Sequence, residues 1–427
     1  MKILILGSGA REHALAHTFH RQGHIVYCLP GNSGIQKIAE TIQDVNENNF
    51  EKVCKIAKDL SIDLTIAASE KFLANGIADV FKINKLRFFG PDRKAAIIES
   101  SKAWAKNFMQ EESIPTARFV ISSNIKDAKK QLLKIFKEGL GVVIKPDGLT
   151  AGKGVMVCDT ISEANLAIDL IMKDKYFSDS GNKIVIEERL IGEEVSLMAF
   201  CDGEKAYMML PVQDHKRLYD GSKGPNTGGM GAYTPVPFLD EHILKMIQEK
   251  IFDKTMKGLI KNNIEYVGVL YAGLIVSGRS IYVLEYNCRF GDPEAQAVLP
   301  LIKSDLYSIM KECSDRNFSG NIKWHDRASC CVVMASKGYP GAYQTGFEIS
   351  GLDDLSENTY IFHAGTKRSY GSPYMTAGGR VLTVCALGDD LETSRQKVYE
   401  QIRKIQFKGA HYRKDIANNK ALKLCPS

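Results

Sequence analysis

The chain has 427 residues, enough for several domains at about 150 residues each. Apolar residues make up 44% of it, charged residues 25% and aromatic residues 9%, which excludes a disordered or low-complexity protein. The net charge of +6 is mild and includes no basic block of the kind that binds nucleic acid.

Residues 1 to about 91 alternate short apolar strands with helical stretches. Such alternation is typical of a parallel βαβ sheet. The pattern predicts strands at Ile3–Leu6, Ile25–Leu29 and Asp63–Ala68, and helices at Arg11–Arg21 and near Phe50–Leu60. We therefore expect a Rossmann-like sheet at the N-terminus.

The turn after the first strand, Gly7 to His13, reads GSGAREH and is half of a dinucleotide-binding fingerprint. Glu12 replaces the third glycine, and the end of the second strand, Tyr27 to Gly31, lacks the acid that would bind a ribose 2′-hydroxyl. These departures argue against NAD. The turn still presents backbone N–H groups at a helix N-terminus, which suits a single phosphate. The alternative is a glycine turn required only for packing.

A single helix is predicted from about Arg93 to Gln110. Beyond Ile114 the chain reads strand, helix, strand, glycine loop, strand, helix, strand, and the last of these strands is Ile184–Glu188. This order predicts helices and strands mixed over a smaller sheet.

The glycine loop, Lys145–Gly154, lies between strands at Val142–Ile144 and Val155–Cys158. It differs from a P-loop in its glycine spacing and because a strand, not a helix, follows it. Two strands and a glycine loop can instead fold over a triphosphate, with backbone amides and Lys153 on the phosphates and Lys145 directed inward. A solvated hairpin tip is the alternative.

The strand Ile184–Glu188 leads into a linker. Backbone groups there can bind an adenine edge, and a carboxylate such as Glu187 or Glu194 can bind ribose hydroxyls. Acids at strand ends are more often simply solvated.

The sequence pattern of residues 195–261 predicts a hairpin, a loop and a helix, in that order. The hairpin, Val195–Leu210, turns at Asp202 and Gly203. The glycine-rich loop is Lys223–Gly231, and the helix spans Glu241–Lys261.

Two more strands are predicted at Gly268–Ile275 and Ile281–Tyr286, and the second ends in a candidate metal site. Strand periodicity places Glu285 and Asn287 on one face, where their oxygens suit a hard cation such as Mg²⁺ or Mn²⁺. Arg289 follows and can neutralise charge on a transferred phosphoryl group. An edge strand with a polar outer face is the alternative.

Asp214 to Arg217 and Gly224 to Gly231 form a glycine-rich segment of mixed charge. Long segments of this kind are either functional or disordered, and embedded apolar residues argue against disorder. His215 has no visible partner for base catalysis, so we interpret it as a binding or structural residue.

From about Ala328 the chain alternates strands with turns and ends in a helix that a capping pair, Asp389 and Glu392, opens. Lys367 and Arg380 lie beside glycines, where they could clamp a ligand phosphate. Ordinary surface cations, which are common, are the alternative.

The ten cysteines form no C-x-x-C pair and no disulfide framework, which favours reduced thiols in the cytoplasm. The apolar run after Lys2 is too short for the core of a signal peptide. The longest strongly apolar stretch, Val267 to Val276, is well below the roughly 20 residues of a membrane span. We expect a cytoplasmic protein whose partners include neither a membrane nor nucleic acid.

Nine stretches, in this order, resemble the phosphoribosylamine–glycine ligase family, also called the glycinamide ribonucleotide synthetases. They read GSGAREH, PGNSG, IKPDGLTAGKGV, IEERLIGEEVS, QDHKR, GPNTGGMGAY, EYNCRFGDPE, HAGTK and GGRV. The likeness spans nearly the whole chain. The stretches from Gly224 to Tyr233 and from Glu285 to Glu294 are highly specific.

The resemblance implies a multidomain protein of α/β and α+β type. A Rossmann-like domain would occupy residues 1–100, ATP-grasp domains 101–325 with a mobile lid at about 120–190, and a small α+β domain 326–427. It implies that ATP phosphorylates the glycine carboxylate and that the amine of 5-phosphoribosylamine attacks the glycyl phosphate, in purine biosynthesis. Mg²⁺ or Mn²⁺ would assist, and we expect a monomer or weak dimer.

The resemblance also implies the residues of the site, carried over by motif position. Those for ATP are Lys102, Lys145, Gly152, Lys153, Gly154, Glu187, Leu190 and Glu194. Those for the metal are Glu285 and Asn287, and the catalytic ones are Lys145, Lys153, Arg289 and Asp214. Those for the substrates are Gly9, Asn32, Asp214, Lys216, Asn226, Thr227, Gly228, Arg289, Lys367, Gly379 and Arg380.

The sequence departs from the family pattern at a few uncharged positions, namely Ser69, Phe72, Ser100, Pro146, Thr150 and Ser222. The main charged residues stay, Glu70 among them. No cysteine or serine with a recognisable base is evident, so catalysis should depend on positioning and charge neutralisation.

The residues alone leave three other functions open. They are another ATP-grasp carboxylate–amine ligase or carboxylase that acts on a ribonucleotide, a dinucleotide oxidoreductase, and a non-catalytic nucleotide-binding regulator.

Overall fold

The computed structural model describes residues 1–43, 45–46, 48–136, 141–150 and 154–418. Its N-terminal sheet has five strands in the order β3-β2-β1-β4-β5, all parallel. The predicted Rossmann-like sheet is therefore confirmed. Its elements are β1 Lys2–Gly7, α1 Ala10–Arg21, β2 Ile25–Pro30, β3 Glu40–Thr41, α2 Phe50–Asp59, β4 Leu64–Ala67, α3 Glu70–Ala74, α4 Ile77–Ile83 and β5 Phe88–Phe89.

The single helix predicted from Arg93 to Gln110 is wrong, because the chain forms two helices there, α5 Ile97–Ser100 and α6 Lys102–Glu111. Ser101 lies between them with extended backbone, φ −130° and ψ 107°, and its hydroxyl accepts a hydrogen bond from the Trp104 amide. Serine favours this N-cap role over a helix interior, since its side chain satisfies an otherwise free amide.

The next unit is a four-stranded antiparallel sheet in the order β6-β9-β7-β8. Strands β7 and β8 pair in register from Val142 with Cys158 to Ile144 with Met156, as the predicted strand, glycine loop and strand require. We call this unit the small sheet. Its elements are β6 Phe119–Ser122, α7 Ile125–Phe136, β7 Val142–Pro146, β8 Met156–Cys158, α8 Ile161–Ile168 and β9 Ile184–Glu188.

A second four-stranded antiparallel sheet, the large sheet, has the order β11-β10-β16-β17. The predicted hairpin at Val195–Leu210 is present. The segment Lys223–Gly231, predicted as a loop, in part forms a small hairpin of β13 with β14. The elements are β10 Glu193–Asp202, β11 Ala206–Met208, β12 Gln213–Asp214, β13 Arg217–Tyr219, β14 Lys223–Asn226, β15 Gly231–Thr234, α9 Glu241–Ile247, α10 Asp253–Lys261, β16 Val267–Ser277, β17 Ser280–Asn287, α11 Glu294–Val298 and α12 Leu306–Ser314.

Alternate residues of β10 enter two different hydrophobic cores. Leu197 packs in the core that contains Leu4 of β1, and Met198 packs in the core that contains Ile5. The large sheet is thus buried on both faces and fused to the N-terminal sheet. Burial on both faces explains the continuous apolar run of β16, because a strand covered on both sides needs no polar face.

The C-terminal unit is a sheet in the order β12-β15-β18-β23-β20, with α13 packed on β18 and β23. The capping pair predicted at Asp389 and Glu392 is wrong by one residue, since Asp390 accepts the Thr393 amide and Asp389 is exposed. The elements are β18 Ala328–Ser336, β19 Glu348–Ile349, β20 Thr359–His363, β21 Thr366–Lys367, β22 Tyr374–Thr376, β23 Arg380–Gly388, α13 Leu391–Lys404 and β24 Ala410–His411.

The end of the described chain clasps the β13–β14 hairpin. Asp415 accepts the Gly221 amide at 2.8 Å, and Asp220 accepts the Lys414 amide at 2.8 Å. Arg413, only 1% exposed, donates to the Arg217 carbonyl at 3.2 Å and to the Asp415 carboxylate at 2.7 Å. We call residues 411–415 the clasp. None of the helices in the described ranges is long and apolar enough to cross a membrane.

Candidate functional site

A cavity of about 620 Å³ lies where α6, the small sheet and β17 meet. Apolar side chains such as Val143, Val157 and Leu190 form part of its lining, and charged groups form much of the rest. A lining of both kinds suits a nucleotide, whose base is flat and apolar and whose phosphates are anionic.

Two lysines and one glutamate form a buried ion-pair cluster on the wall of the cavity. Lys145 of β7 lies 2.9 Å from one Glu187 oxygen, and Lys106 of α6 lies 2.9 Å from the other. Burial would raise the pKa of Glu187, but the two amines outweigh burial and hold the pKa below its ordinary value. Glu187 is therefore ionised and accepts hydrogen bonds only. Lys145 faces inward from its strand, as predicted.

Lys102 lines the cavity and is anchored to the glycine loop, since its amine donates to the Gly148 carbonyl at 2.8 Å. Asp147, at the start of the loop, accepts the Ser101 hydroxyl and the Ala103 amide, both at 3.0 Å. The first turn of α6 is therefore bonded to Asp147 and Gly148 at the start of the loop. The predicted ATP residues Gly152 and Lys153 lie outside the described residues, whereas Gly154 is described and buried.

Glu285 and Asn287 flank Tyr286 at the end of β17, and both line the cavity. Tyr286 points to the opposite side, where its hydroxyl bonds Thr255 at 2.7 Å. An irregularity in the pairing with β16 leaves Leu284 as an extra residue, and the alternation resumes after it. The predicted shared face is therefore confirmed.

The donor set at the end of β17 fits a hard cation. Burial would raise the pKa of Glu285, but Lys216, Lys145, Lys102 and Arg289 outweigh burial and lower it, so the carboxylate is ionised. Among the described residues, no group of three or more His, Cys, Asp or Glu side chains could hold a metal ion. One carboxylate and one amide oxygen suit Mg²⁺ that takes its remaining ligands from phosphates and water.

Arg289 lies next to the candidate metal residues and is held by two carboxylates. Its guanidinium lies 3.4 Å from Glu70, 3.2 Å from Glu99 and 3.2 Å from the Asn287 side-chain oxygen. Glu99 also accepts the Cys288 amide at 2.8 Å. These contacts fix the planar group against the cavity, where a fork of donors can bind a phosphoryl or carboxylate group.

Asp214, Lys216 and Glu294 form a second charged wall. Asp214 has one buried oxygen with no hydrogen-bond partner among the described residues. Burial and nearby Glu294 raise the pKa of Asp214 well above its ordinary value. Gly229, at φ +104°, leaves this oxygen open, because a Cβ there would lie 2.9 Å from it. Such a carboxylate takes up a proton more readily than an exposed one does.

The predicted substrate residues Asn226, Thr227 and Gly228 line the same cavity, next to Arg380. Arg380 of β23 pairs with Asp292 at 2.7 Å and donates to the Gly228 carbonyl at 2.5 Å. It therefore joins the C-terminal sheet to the loop after β17.

We expect Asp292→Asn to lower the free energy of unfolding at neutral pH by about 2 kcal/mol, the scale of a charge-assisted hydrogen bond. Burial would raise the pKa of Asp292, but Arg380 and Arg11 hold it below its ordinary value. This stabilisation is complete above the unfolded pKa near 4 and is lost as pH falls through the lower folded pKa.

The difference between parent and Asp292→Asn, measured by urea unfolding, should therefore shrink below about pH 4. Asp389→Asn is the matched control, since Asp389 is 94% exposed and its pair with Arg327 is long at 3.5 Å. A difference between parent and Asp292→Asn that stays constant from neutral to acid pH would contradict the ion pair.

A second cavity, of about 890 Å³, lies between the N-terminal sheet and the C-terminal unit and contains Lys367 and Asn32. The Asn32 amide is fully committed to protein. It donates to the Ser8 and His363 carbonyls at 2.7 and 2.8 Å and accepts the Gly34 and Ile35 amides at 2.9 and 3.0 Å. Only its backbone is left for a ligand.

The first glycine turn already holds an anion of its own. The Gly9 amide donates to the Glu12 carboxylate at 2.7 Å, and Arg11 donates to the same side chain at 3.1 Å. The helix N-terminus that was predicted to suit a phosphate is therefore occupied by Glu12. Ser8 lines the second cavity and Arg11 the first, so the turn separates the two.

The other residues singled out in the sequence lie at separate positions in the structure. Leu190 and Glu194 line the first cavity, and Glu194 lies 3.6 Å from Lys216. Gly379 packs under aromatic rings, because a Cβ there would lie 2.5 Å from Tyr339. Burial and Arg413 lower the pKa of His215 to about 4, so its side chain is neutral. Its role as a binding or structural residue stays a prediction.

Sequence reasoning missed Lys106, Glu99 and Asp292. Lys106 reads as a solvated lysine of an amphipathic helix, although its side chain is 3% exposed. The sequence did contain one indication that Lys106 faces the site. It lies four residues after Lys102, and residues four apart lie on the same face of a helix. Glu99 had no local signal, since its partner Arg289 is distant in sequence. Asp292 lies in the specific stretch from Glu285 to Glu294, but it was given no role, since its partner Arg380 is also distant.

The whole chain is similar to one family of synthetases. Residues 1–99 match the N domain of phosphoribosylglycinamide synthetase, residues 100–295 its ATP-grasp (A) domain and residues 329–419 its C domain. A phosphoribosylamine–glycine ligase of Caldanaerobacter subterraneus subsp. tengcongensis is 43% identical over 421 residues, which are 98% of this chain and 99% of that protein.

Solved structures agree with this likeness. The crystal structure of the Thermotoga maritima phosphoribosylamine–glycine ligase superimposes with a TM-score of 0.83 at 33% identity and covers 97% of this chain and 100% of that chain. The biotin carboxylase domain of a Hydrogenobacter thermophilus 2-oxoglutarate carboxylase reaches 0.74 at 14% identity, over 96% of this chain and 91% of that one, which shows the fold alone.

Proposed function

This chain belongs to the phosphoribosylglycinamide synthetase family, and from that premise we infer that it ligates glycine to 5-phosphoribosylamine with ATP in purine biosynthesis. The products are glycinamide ribonucleotide, ADP and phosphate. The match over 98% of the chain to a named ligase carries this inference. The buried lysines opposite Glu285 and Asn287 in one cavity support it.

We propose that the nucleotide lies with its base against the apolar side chains of the cavity and its phosphates at Lys102 and Lys145. Lys153 of the glycine loop would join them. Glu285 and Asn287 would hold Mg²⁺ or Mn²⁺, which when bound neutralises phosphate charge and lowers the barrier to phosphoryl transfer. The cationic side chains orient the phosphates and cost no reorganisation during the reaction.

In the first step a glycine carboxylate oxygen forms a bond to the γ-phosphorus, and the bond from that phosphorus to the β–γ bridging oxygen breaks, so that ADP leaves. We propose that Arg289 stabilises the charge on the transferred group. The phosphate makes the carboxyl carbon an acyl donor, which a free carboxylate is not.

In the second step the phosphoribosylamine nitrogen bonds to that carbon, the bond from the carbon to the phosphate oxygen breaks, and the amine loses a proton. We propose Asp214 as the acceptor of this proton, because its raised pKa and free oxygen suit the task. Lys216, Asn226, Thr227, Gly228 and Arg380 would surround the substrates.

We propose that the ribose phosphate extends toward the second cavity, where Lys367 supplies a cation. Gly379 would contact substrate through backbone atoms, and Gly9, whose amide donates to Glu12, would lie beside the substrate. We further propose a monomer or weak dimer that works in the cytoplasm, as the cysteine pattern suggests.

An ADP-release assay with each substrate omitted in turn tests the function. We expect ADP only when ATP, glycine and phosphoribosylamine are all present. ADP formed with bicarbonate in place of glycine would indicate a carboxylase. Bound NAD(P)H, detected by fluorescence, would indicate an oxidoreductase, and nucleotide binding without turnover would indicate a regulator.

A further inference from the structure

Among the described residues that line the first cavity, Lys106 is the most enclosed cation. Nothing in the proposed reaction uses it. It lies one helical turn after Lys102 on α6, with its side chain 3% exposed. Burying a lysine costs free energy unless it is paired and hydrogen-bonded, so its contacts must compensate.

The contacts of Lys106 lead to two elements of the site. Its amine lies 2.9 Å from Glu187 and donates to the Thr116 hydroxyl at 2.6 Å. Thr116 donates in turn to the Val283 carbonyl of β17 at 2.7 Å. Lys106 is thereby fixed to the strand that presents the candidate metal residues.

Glu187 transmits this placement to Lys145. Its second oxygen lies 2.9 Å from the Lys145 amine, which also donates to the Leu284 carbonyl at 3.0 Å. A carboxylate held on one side by a fixed amine offers its other oxygen at a fixed position. Lys145 is therefore placed by a chain of contacts that starts on α6 and crosses the cavity wall.

We propose that Lys106 is a positioning residue that acts through Glu187 to hold Lys145 in place for the nucleotide phosphates. The proposal rests on the proposed function, since it takes Lys145 as a phosphate ligand. Burial and Lys145 lower the pKa of Lys106 to about 8, although Glu187 acts in the opposite direction.

The test compares Lys106→Met and Lys106→Arg with the parent enzyme. We expect Lys106→Met to raise the KM for ATP and the Kd for ADP about 10- to 100-fold, the scale for removing the partner of a ligand-binding group. The KM for glycine should stay within the error of the parent value, and Lys106→Arg should regain most of the affinity. Calorimetric titration with ADP and steady-state kinetics supply these values.

Lys261→Met is the matched control. Lys261 is a lysine paired with Glu112, just beyond α6, at 2.8 Å, but it is 69% exposed and far from the cavity. Its replacement should leave both constants unchanged. Thr116→Val supplies a milder variant if Lys106→Met fails to fold, and it should raise the KM for ATP in the same direction by less.

The double variant with Glu187→Gln separates positioning from direct contact. If Lys106 acts through Glu187, adding Lys106→Met to Glu187→Gln should change the ADP affinity much less than it does alone. An undiminished effect would mean that Lys106 touches the nucleotide itself, and the proposal would fail. Unchanged constants in Lys106→Met would also overturn it. A parent that binds no ADP would instead count against the proposed function.

Discussion

Replacement of Glu285 by glutamine should reduce turnover at ordinary Mg²⁺ by at least about 100-fold, the scale of a lost electrostatic contact to the transition state. Glutamine keeps the shape of the side chain and removes its charge. Glu285 is ionised at neutral pH, because four cations hold its pKa down. When ADP release is measured against Mg²⁺ concentration, the variant should need a much higher Mg²⁺ concentration than the parent before its rate rises.

The fold should survive this change, since Glu285 lies on the cavity face and the buried neighbour Tyr286 is untouched. Glu249→Gln is the control, because Glu249 lies on the surface, 56% exposed, beside Lys245. Undiminished activity of Glu285→Gln at ordinary Mg²⁺ would refute the metal assignment.

Arg289→Lys should lower kcat by about 1000-fold, the lower end of the range for removing an arginine from a phosphoryl-transfer site. Lysine keeps the charge but loses the planar fork that contacts Glu70, Glu99 and Asn287 together. The KM for ATP should change far less, because Lys102 and Lys145, the proposed phosphate ligands, are unchanged. Single-turnover kinetics at saturating ATP measures the step directly.

Arg316→Lys provides the comparison, since Arg316 pairs with Glu265 on the surface and is 52% exposed. It should have parental kinetics. Thermal unfolding of both variants shows whether a loss of kcat reflects unfolding, and a folded Arg289→Lys enzyme with parental kcat would remove Arg289 from the reaction.

Most of the architecture is predictable because its signals are local. Apolar strands and helices alternate in the first 91 residues, and the strand periodicity of β17 placed Glu285 and Asn287 on one face. The failures were at boundaries. Ser101 divides the predicted helix because its hydroxyl caps α6, the second of the two helices that form there. Asp390, not the predicted Asp389, caps α13.

The candidate site was predictable only in part, because several of its residues gain their roles from distant partners. Lys106 is separated from Glu187 by 81 residues of sequence, and Asp292 from Arg380 by 88. No local pattern marks such pairs. Glu12 is different, because the sequence did single it out. It stands where a dinucleotide-binding turn has its third glycine, and in the structure its carboxylate is the anion that the turn binds.

The clasp has a consequence for how the protein matures during synthesis. Gly221 of the β13–β14 hairpin bonds to Asp415, a residue 194 positions later. Translation proceeds from the N-terminus, so the hairpin leaves the ribosome long before its partner exists. The nascent chain can fold its first sheet early, but the contacts that hold the segment ending at Asn226 form only after residues 411–415 have been released, and ligand-binding competence should emerge no sooner.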